Sequence, residues 1–240
     1  QTLMPTVEKI SHEFQDDIEV RKVNVDQNRE LAAKFGVKSI PSLFFLKGDE
    51  IHENSFSFLK LNFQDFFKQN KRKFDAIINT AYPSKRDKYN PLDNVEEISN
   101  SILVNSELIF SLFENSTKIL KKNGVLIQCA SIYGFFTPRF EIYEGNDRIT
   151  PPDYIFIKAG LIATTKYYAK KYFGLFRVNT ISFGGVFNNH ENSFVENYGK
   201  HTYSKQMMNS AQVVKGILYL ISDDNGVTGS NLIVDDGFTL

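Results

Sequence analysis

The sequence predicts an α/β protein with a doubly wound parallel sheet, covered by helices on both faces. From residue 75 onward, buried-strand patterns alternate with helical patterns through seven elements, beginning and ending on a strand. Such alternation is typical of parallel sheets with right-handed crossovers. Two of the strands run into turns of small residues, at 131–134 and 183–186, and ligands bind at such strand ends in this architecture. Residues 1–50 follow another pattern, so two parts are expected.

The composition supports a folded core and excludes several functional classes. The chain has 240 residues, 42% of them hydrophobic, which suits one large domain or two small ones. Basic and acidic residues number 28 each, so no excess charge favours nucleic acid or an anionic membrane. The sequence has neither an apolar run long enough to span a membrane nor a signal-peptide pattern at its start.

Cys129 is the only cysteine. A single thiol forms no internal disulfide and no cysteine-rich metal site, and no metal site is predicted elsewhere. We therefore expect a reducing, cytoplasmic location.

Residues 1–50 read as helix, strand, short helix and strand. The segments 23–26, 32–37 and 40–42 resemble the middle of a thioredoxin. In that family the proline at the position of Pro41 is cis and borders the redox site, so the resemblance implies the same here. A thioredoxin needs a Cys-x-x-Cys pair, because one thiolate attacks the disulfide of the substrate and the second thiol resolves the mixed disulfide. Since that pair is missing, we predict a thioredoxin-like fragment without thiol chemistry.

A polar stretch at 49–57 carries no strong pattern and is predicted to join the two parts. Residues 58–63 read as a strand, followed by a short helix through Lys71. A buried strand at 75–82 ends in a polar turn that contains Asn79 and Ala81.

A long helix is predicted over 94–122, ended by Gly124. Asn105 lies on its apolar stripe, where a polar side chain must find partners in the interior. A satisfied contact between helices and a role in chemistry both remain open for this residue.

Tyr154 and Lys158 lie on one face of a helix, because they are four residues apart. Pro151 and Pro152 end the preceding segment, and Asp153 is predicted to cap the helix. An ammonium held beside a phenol favours the phenolate, which lowers the tyrosine pKa from about 10 towards working pH. Such a tyrosine can pass a proton to or from an alcohol or ketone.

Tyr167 and Lys171 repeat the same spacing in the same helix. For this pair we predict a packed ring and a solvated lysine. Tyr154 differs because a buried strand at 125–131, ending in Ser131, precedes its helix, and a strand at 177–182 that leads into Gly184 follows it.

This order of elements resembles the short-chain dehydrogenase/reductase family over about residues 57–240. The resemblance implies a catalytic set in which Tyr154 is the general acid/base, Lys158 lowers its pKa and holds the nicotinamide ribose, and Ser131 hydrogen-bonds the substrate oxygen. Asn105 would complete a proton relay. The implied cofactor is NAD or NADP.

The resemblance also implies which residues contact the cofactor besides Tyr154 and Lys158. Asn79 and Ala81 stand where residues of the family contact the adenosine side of the cofactor. The turn here ends in Tyr82, whereas the family's Asn-Asn-Ala-Gly turn ends in glycine. Gly184 and Val186 stand where the backbone meets the nicotinamide, with a phenylalanine at 183 in place of the usual proline.

The family's glycine-rich turn, Thr-Gly-x-x-x-Gly-x-Gly, is absent, since none of the 14 glycines has that spacing. Backbone N–H groups of that turn approach the pyrophosphate. We therefore predict a Rossmann-like sheet that lacks its first βαβ unit, with the thioredoxin-like fragment standing before it.

The aromatic and charged loop at 135–150 is expected to overhang the reacting centre and to select the substrate. The stretches 131–134, 140–144 and 234–238 resemble bacterial flagellin-modification oxidoreductases, which are tied to the making of nonulosonic-type sugars.

Two functions follow as hypotheses. The first is an NAD(P)-dependent oxidoreductase acting on a hydroxyl or carbonyl group, with a sugar precursor as small-molecule substrate. The second is an inactive chimera or scaffold that binds no dinucleotide tightly. The family resemblance implies a homo-oligomer that associates through the helices containing Asn105 and Tyr154.

Overall fold

The computed structural model describes residues 46–47, 50–51, 73–82, 95–145, 149–222 and 225–240. The chain forms two compact units, Gln1–Gln69 and Asn70–Leu240. In the first unit, strands β1 (Leu46–Lys47) and β2 (Glu50–Ile51) pair antiparallel. The latter lies in the stretch expected to carry no pattern. Pro41, the strand expected at 58–63 and the helix after it lie outside the described residues.

The described part of the second unit contains four parallel strands and four α-helices. Their bounds are β3 (Phe74–Asn79), α1 (Val95–Ile119), β4 (Leu120–Ser131), α2 (Pro152–Lys171), β5 (Arg177–Phe183), α3 (Asn192–Gly199), α4 (Ser210–Ile221) and β6 (Asn231–Val234). The sheet order is β3-β4-β5-β6. This parallel sheet confirms the predicted fold class.

Helices cover both faces of this sheet. On one face Thr165 of α2 is hydrogen-bonded to Thr180 of β5. The next residue of β5, Ile181, points to the other face, where it packs with Leu220 of α4. The register pairs Ser131 with Phe183, so the ends of β4 and β5 meet at one edge of the sheet.

The first helix ends earlier than the sequence predicts, at Ile119, and Gly124 lies inside β4. A Cβ at Gly124 would come within 2.7 Å of the Asp75 carbonyl oxygen. The glycine is therefore needed for the close approach of β3 and β4, and it does not end the helix. Asn123 takes the left-handed conformation at φ 66° and donates its N–H to the Leu175 carbonyl.

Among the described helices, none combines the length and the apolar character that a membrane crossing requires.

Candidate active site

Ser131 is the last residue of β4 and is buried. Its Oγ accepts a hydrogen bond from the Tyr133 N–H at 3.2 Å, which caps a 3₁₀ turn over Ile132–Gly134. A Cβ at Gly134 would lie 2.8 Å from the Lys158 carbonyl oxygen. Because Gly134 has no side chain, the turn after β4 can lie directly against α2.

The structure brings Ser131 and Tyr154 together. The Ser131 hydroxyl lies near the Tyr154 phenol and acts to lower its pKa. Burial acts more strongly in the opposite direction, and the neighbouring Tyr143 adds to it, so the pKa of Tyr154 lies above its ordinary value. The sequence predicted a lowered pKa for Tyr154, and this direction was wrong because burial outweighs the effect of Ser131.

Lys158 is 5% exposed, and its ammonium donates a hydrogen bond to the Cys129 carbonyl at 2.9 Å. The Nζ atom lies 5.5 Å from the ring centroids of both Tyr154 and Tyr82. Burial lowers the pKa of Lys158 to about 8. The ammonium therefore lies beside the Tyr154 ring, as its spacing on the helix predicts, but at an electrostatic cost.

Asp153 does not cap its helix, contrary to the sequence prediction. The helix begins at Pro152 with Pro151 as the N-cap residue, because proline suits the first helical position, where its missing N–H is not needed. The buried Asp153 carboxylate instead accepts hydrogen bonds from Ser101 Oγ at 2.6 Å and Tyr82 Oη at 3.3 Å.

Tyr82 is a site residue that sequence reasoning missed. Its ring meets the Tyr154 ring edge to face, with centroids 5.0 Å apart and an interplanar angle of 85°. Its position directly after the Asn79 turn, at the end of a strand, is the sequence feature that could have identified it as a site residue. Tyr82 and Asp153 together hold the start of α2 against the turn after β3.

Asn105 is buried, and its Nδ2 donates to the Ser101 carbonyl within α1 at 2.9 Å. The Ser101 side chain bonds Asp153, so Asn105 is connected to the first turn of α2 through one residue. This contact gives Asn105 an interior partner. A role in a proton relay remains a prediction.

Asn79 closes the turn after β3 by accepting the Ala81 N–H at 3.1 Å. Its Nδ2 donates to Gln128 Oε1 of the neighbouring strand at 2.7 Å. The Nε2 atom of Gln128 is buried and has no hydrogen-bond partner among the described residues. A buried N–H donor without a described partner therefore lies beside Asn79, the residue predicted to contact the adenosine side of the cofactor.

Gly184 follows β5, and its N–H donates to the Val234 carbonyl at 3.0 Å. A Cβ there would lie 3.0 Å from both the Tyr198 Oη and the Asp235 Cα. A side chain at this position would therefore need its neighbours to shift by a few tenths of an ångström. Val186, two residues on, forms a bridge to Met208.

Aromatic side chains from the loop at 135–150 and from α3 form a wall next to Tyr154. Tyr143 hydrogen-bonds Thr150 at 2.5 Å, and its ring lies 5.4 Å from that of Phe194. Tyr143 and Tyr154 both pack against a buried cluster that contains Tyr198. The overhang of this loop above the reacting centre stays a prediction, and no sequence pattern pointed to Tyr198.

Tyr167 and Lys171 do not form a second site, but their surroundings differ from the prediction. Tyr167 is 64% exposed, and the packed ring belongs to Tyr168, which stacks on Phe113 with centroids 3.9 Å apart. Lys171 forms an ion pair with Glu114 at 2.5 Å. One step along the helix rotates a side chain by about 100°, which places Tyr168 inside and Tyr167 outside.

Comparisons with known proteins agree with both resemblances. A family model described as enoyl-(acyl carrier protein) reductase matches residues 60–239, and the thioredoxin model matches residues 1–69. The post-translational flagellin modification protein A of Campylobacter coli is 34% identical over 176 residues, covering 70% of this chain and 68% of that protein.

A solved structure of a short-chain dehydrogenase from Leptospira borgpetersenii serovar Hardjo-bovis, with bound NAD+, is 34% identical. The match covers 74% of this chain and 69% of that chain, with a TM-score of 0.61. Thioredoxin of Bacillus subtilis is 41% identical over 56 residues, which are 23% of this chain. The chain spans about half the length of that thioredoxin, with 54% covered.

Replacing Lys158 by methionine is expected to raise the free energy of unfolding at pH 7 by about 1–2 kcal/mol, since burial of the charge costs more than the bond to Cys129 returns. Below the folded pKa of about 8 the full cost is present. Between pH 8 and the unfolded value of about 10.5, the unfolded state binds more protons, so the wild-type protein gains stability as pH rises.

Urea unfolding followed by circular dichroism at several pH values measures this effect. Lys166→Met, at an exposed position of the same helix, is the matched control and should change stability by less than about 0.5 kcal/mol. A Lys158→Met protein that is less stable than wild type at pH 7 would contradict the assigned burial cost.

Ser131→Ala is expected to raise the pKa of Tyr154 further, because the nearby hydroxyl that favours the phenolate is lost. Ultraviolet titration of the phenolates, compared with and without Tyr154→Phe, isolates this tyrosine. Ser182→Ala removes another buried hydroxyl, bonded to Asn231, and serves as the control. An unchanged Tyr154 titration in Ser131→Ala would show that the two hydroxyls do not interact.

Proposed function

The chain belongs, through residues 60–239, to the short-chain dehydrogenase/reductase family, and we propose that this unit is an NAD(P)-dependent oxidoreductase that interconverts a hydroxyl and a carbonyl group. The observation that carries the proposal is the meeting of Ser131, Tyr154 and Lys158 at the carboxyl end of β4. That strand edge is where ligands bind in parallel α/β sheets.

Tyr154 is the proposed general acid/base. Its hydroxyl lies near Ser131, whose Oγ accepts the Tyr133 N–H. A hydroxyl whose oxygen is held by this N–H can still donate its own proton to an oxygen acceptor. A substrate carbonyl or hydroxyl oxygen placed between the two hydroxyls would be held by Ser131 and would exchange a proton with Tyr154.

Lys158 is the proposed ligand of the nicotinamide ribose. An ammonium carries three protons, and the Cys129 carbonyl takes one. The remaining donors lie in a buried place beside the Tyr154 ring, which suits the hydroxyl groups of a ribose. When bound, the nicotinamide would accept or deliver the hydride. Asn79, Ala81, Gly184 and Val186 complete the proposed cofactor contacts.

The residues fit only part of such a cofactor. The ribose end has its donors, whereas the glycine-rich turn that would hold the pyrophosphate is missing from the sequence. Tyr82 also lies next to Lys158, where the family has a glycine in its Asn-Asn-Ala-Gly turn. These two departures favour the second candidate, a scaffold that binds no dinucleotide tightly.

For the substrate we propose a sugar precursor for surface glycan or flagellin modification. The name of the Campylobacter coli relative supports this direction. The aromatic wall around Tyr143 also supports it, because aromatic rings with hydroxyl groups combine apolar packing with hydrogen bonding. The buried free thiol of Cys129 is compatible with the cytoplasmic location that we propose.

We also propose that the protein forms a homo-oligomer through α1 and α2. Both helices expose large apolar side chains, including Leu103 and Phe110 on α1 and Phe156 on α2. Apolar groups clustered on neighbouring helices support a contact surface.

The double variant Phe110→Glu/Phe156→Glu is expected to shift the protein to a smaller species in sedimentation velocity, because charges would be buried in the contact. Leu218→Glu, at an exposed apolar position of α4, is the control and should leave the sedimentation coefficient unchanged. Equal sedimentation of all three proteins would refute association through these helices.

NADH and NADPH titrations followed by cofactor fluorescence test the proposed function. We expect saturable binding of at least one of them, with a dissociation constant of about 0.1–1 mM because the pyrophosphate turn is missing. Lys158→Ala should weaken it at least about tenfold, whereas Lys171→Ala, from the second Tyr-x-x-x-Lys pair, should not.

The two candidate functions give different outcomes. Binding that is lost in Lys158→Ala and retained in Lys171→Ala supports the oxidoreductase. Failure to bind either cofactor at millimolar concentration would leave only the scaffold.

A further inference from the structure

Basic side chains line an open surface cavity of about 320 Å³ in the second unit. Arg139, from the loop at 135–150, lines it together with Lys200, His201 and Lys205, which follow α3. None of the residues that line this cavity has an acidic side chain. We call this cavity the basic pocket.

Arg139 is fixed in place by aromatic rings. Its guanidinium carbon lies 5.3 Å from the centroid of the Phe136 ring and 5.7 Å from that of the Phe238 ring. The Nε atom is buried and has no hydrogen-bond partner among the described residues. A guanidinium held against aromatic faces keeps its donors in a rigid plane, which is the geometry that binds an oxyanion through two parallel hydrogen bonds.

The acidic side chains near the end of the chain are used elsewhere. Asp236 accepts hydrogen bonds from the backbone N–H and the hydroxyl of Ser204, at 2.9 and 2.6 Å. Asp235 accepts the N–H groups of Gly237 and Thr239, both at 3.0 Å. Lys200 donates to the neutral Asn197 side chain. These carboxylates close local turns, and among the described residues Arg139, Lys200 and Lys205 form no ion pair.

We propose that the basic pocket binds a phosphate group, either free phosphate or the phosphate of a monoester. Three permanent cations and an imidazole match the double negative charge of a phosphate better than the single charge of a carboxylate. The cavity volume accommodates a phosphate together with part of the group that it esterifies.

The pocket is separate from the Tyr154 site but shares an aromatic layer with it. Phe238, which supports Arg139, stacks on Tyr198 with ring centroids 4.3 Å apart. Tyr154 packs against the same buried cluster, and the Tyr198 hydroxyl accepts a hydrogen bond from the Gly185 N–H. Phosphate binding needs no nicotinamide, so the inference stands independently of the proposed oxidoreductase activity.

Isothermal titration calorimetry of the full chain at low ionic strength tests the inference with three probes: inorganic phosphate, glucose 6-phosphate and glucose. We expect saturable binding of the phosphorylated probes and none of glucose. Binding of the monoester at least about tenfold tighter than inorganic phosphate would identify an ester ligand, and equal affinities would identify free phosphate. No saturation by either phosphate at about 10 mM would overturn the proposal.

Paired variants separate this site from general electrostatic attraction. Arg139→Gln/Lys205→Gln should weaken phosphate binding at least about tenfold. Lys200→Gln/Lys205→Gln, at two exposed positions, should also weaken it and guards against misfolding of the Arg139 variant. Lys166→Gln/Lys170→Gln changes net charge equally on the exposed face of α2 and is the matched control. Equal weakening by this control pair would refute a defined pocket.

Discussion

The buried ammonium of Lys158 is the constraint on which the rest of the site depends. It lies between the Cys129 carbonyl and the rings of Tyr82 and Tyr154. For the ammonium to reach that carbonyl, α2 must lie close to the end of β4, and Gly134 provides the space. The same approach brings Ser131 close enough to Tyr154 to lower the pKa of its phenol. One close contact between a helix and a strand end therefore places all three predicted catalytic side chains.

This contact is stabilised from the other side by polar groups that take no part in the proposed chemistry. Asp153 links the start of α2 to Ser101 of α1 and to Tyr82 after β3. Helix α1 and the turn after β3 are thus both tied to the first turn of α2. A buried lysine costs stability, so the surrounding contacts must offset that cost for the fold to persist. Proteins accept such local costs mainly where a ligand or a reaction needs the group.

The sequence predicted the elements whose signals are local. The parallel sheet followed from alternating strand and helix patterns, and the facing of Tyr154 and Lys158 followed from their spacing. The prediction failed where partners distant in sequence decide. Gly124 looked like a helix end because its contact with Asp75 is made across the sheet. Asp153 looked like a cap because its partners, Ser101 and Tyr82, lie more than fifty residues earlier. The pKa of Tyr154 depends on burial, which no spacing reveals.

Strand β3 lies at one end of the described four-stranded sheet, and the sequence predicts that the family's first βαβ unit is missing. Phe74 and Ile78 of β3 are exposed, and β3 pairs with β4 alone among the described strands. Phe74 and Ile78 are four residues apart and share one face of β3, so their exposure shows that this face is only partly covered. The residues predicted to be catalytic lie on β4 and α2, and Tyr82, directly after β3, contacts two of them. The arrangement of Ser131, Tyr154 and Lys158 is therefore formed by contacts among the described residues, in a sequence that lacks the glycine-rich turn.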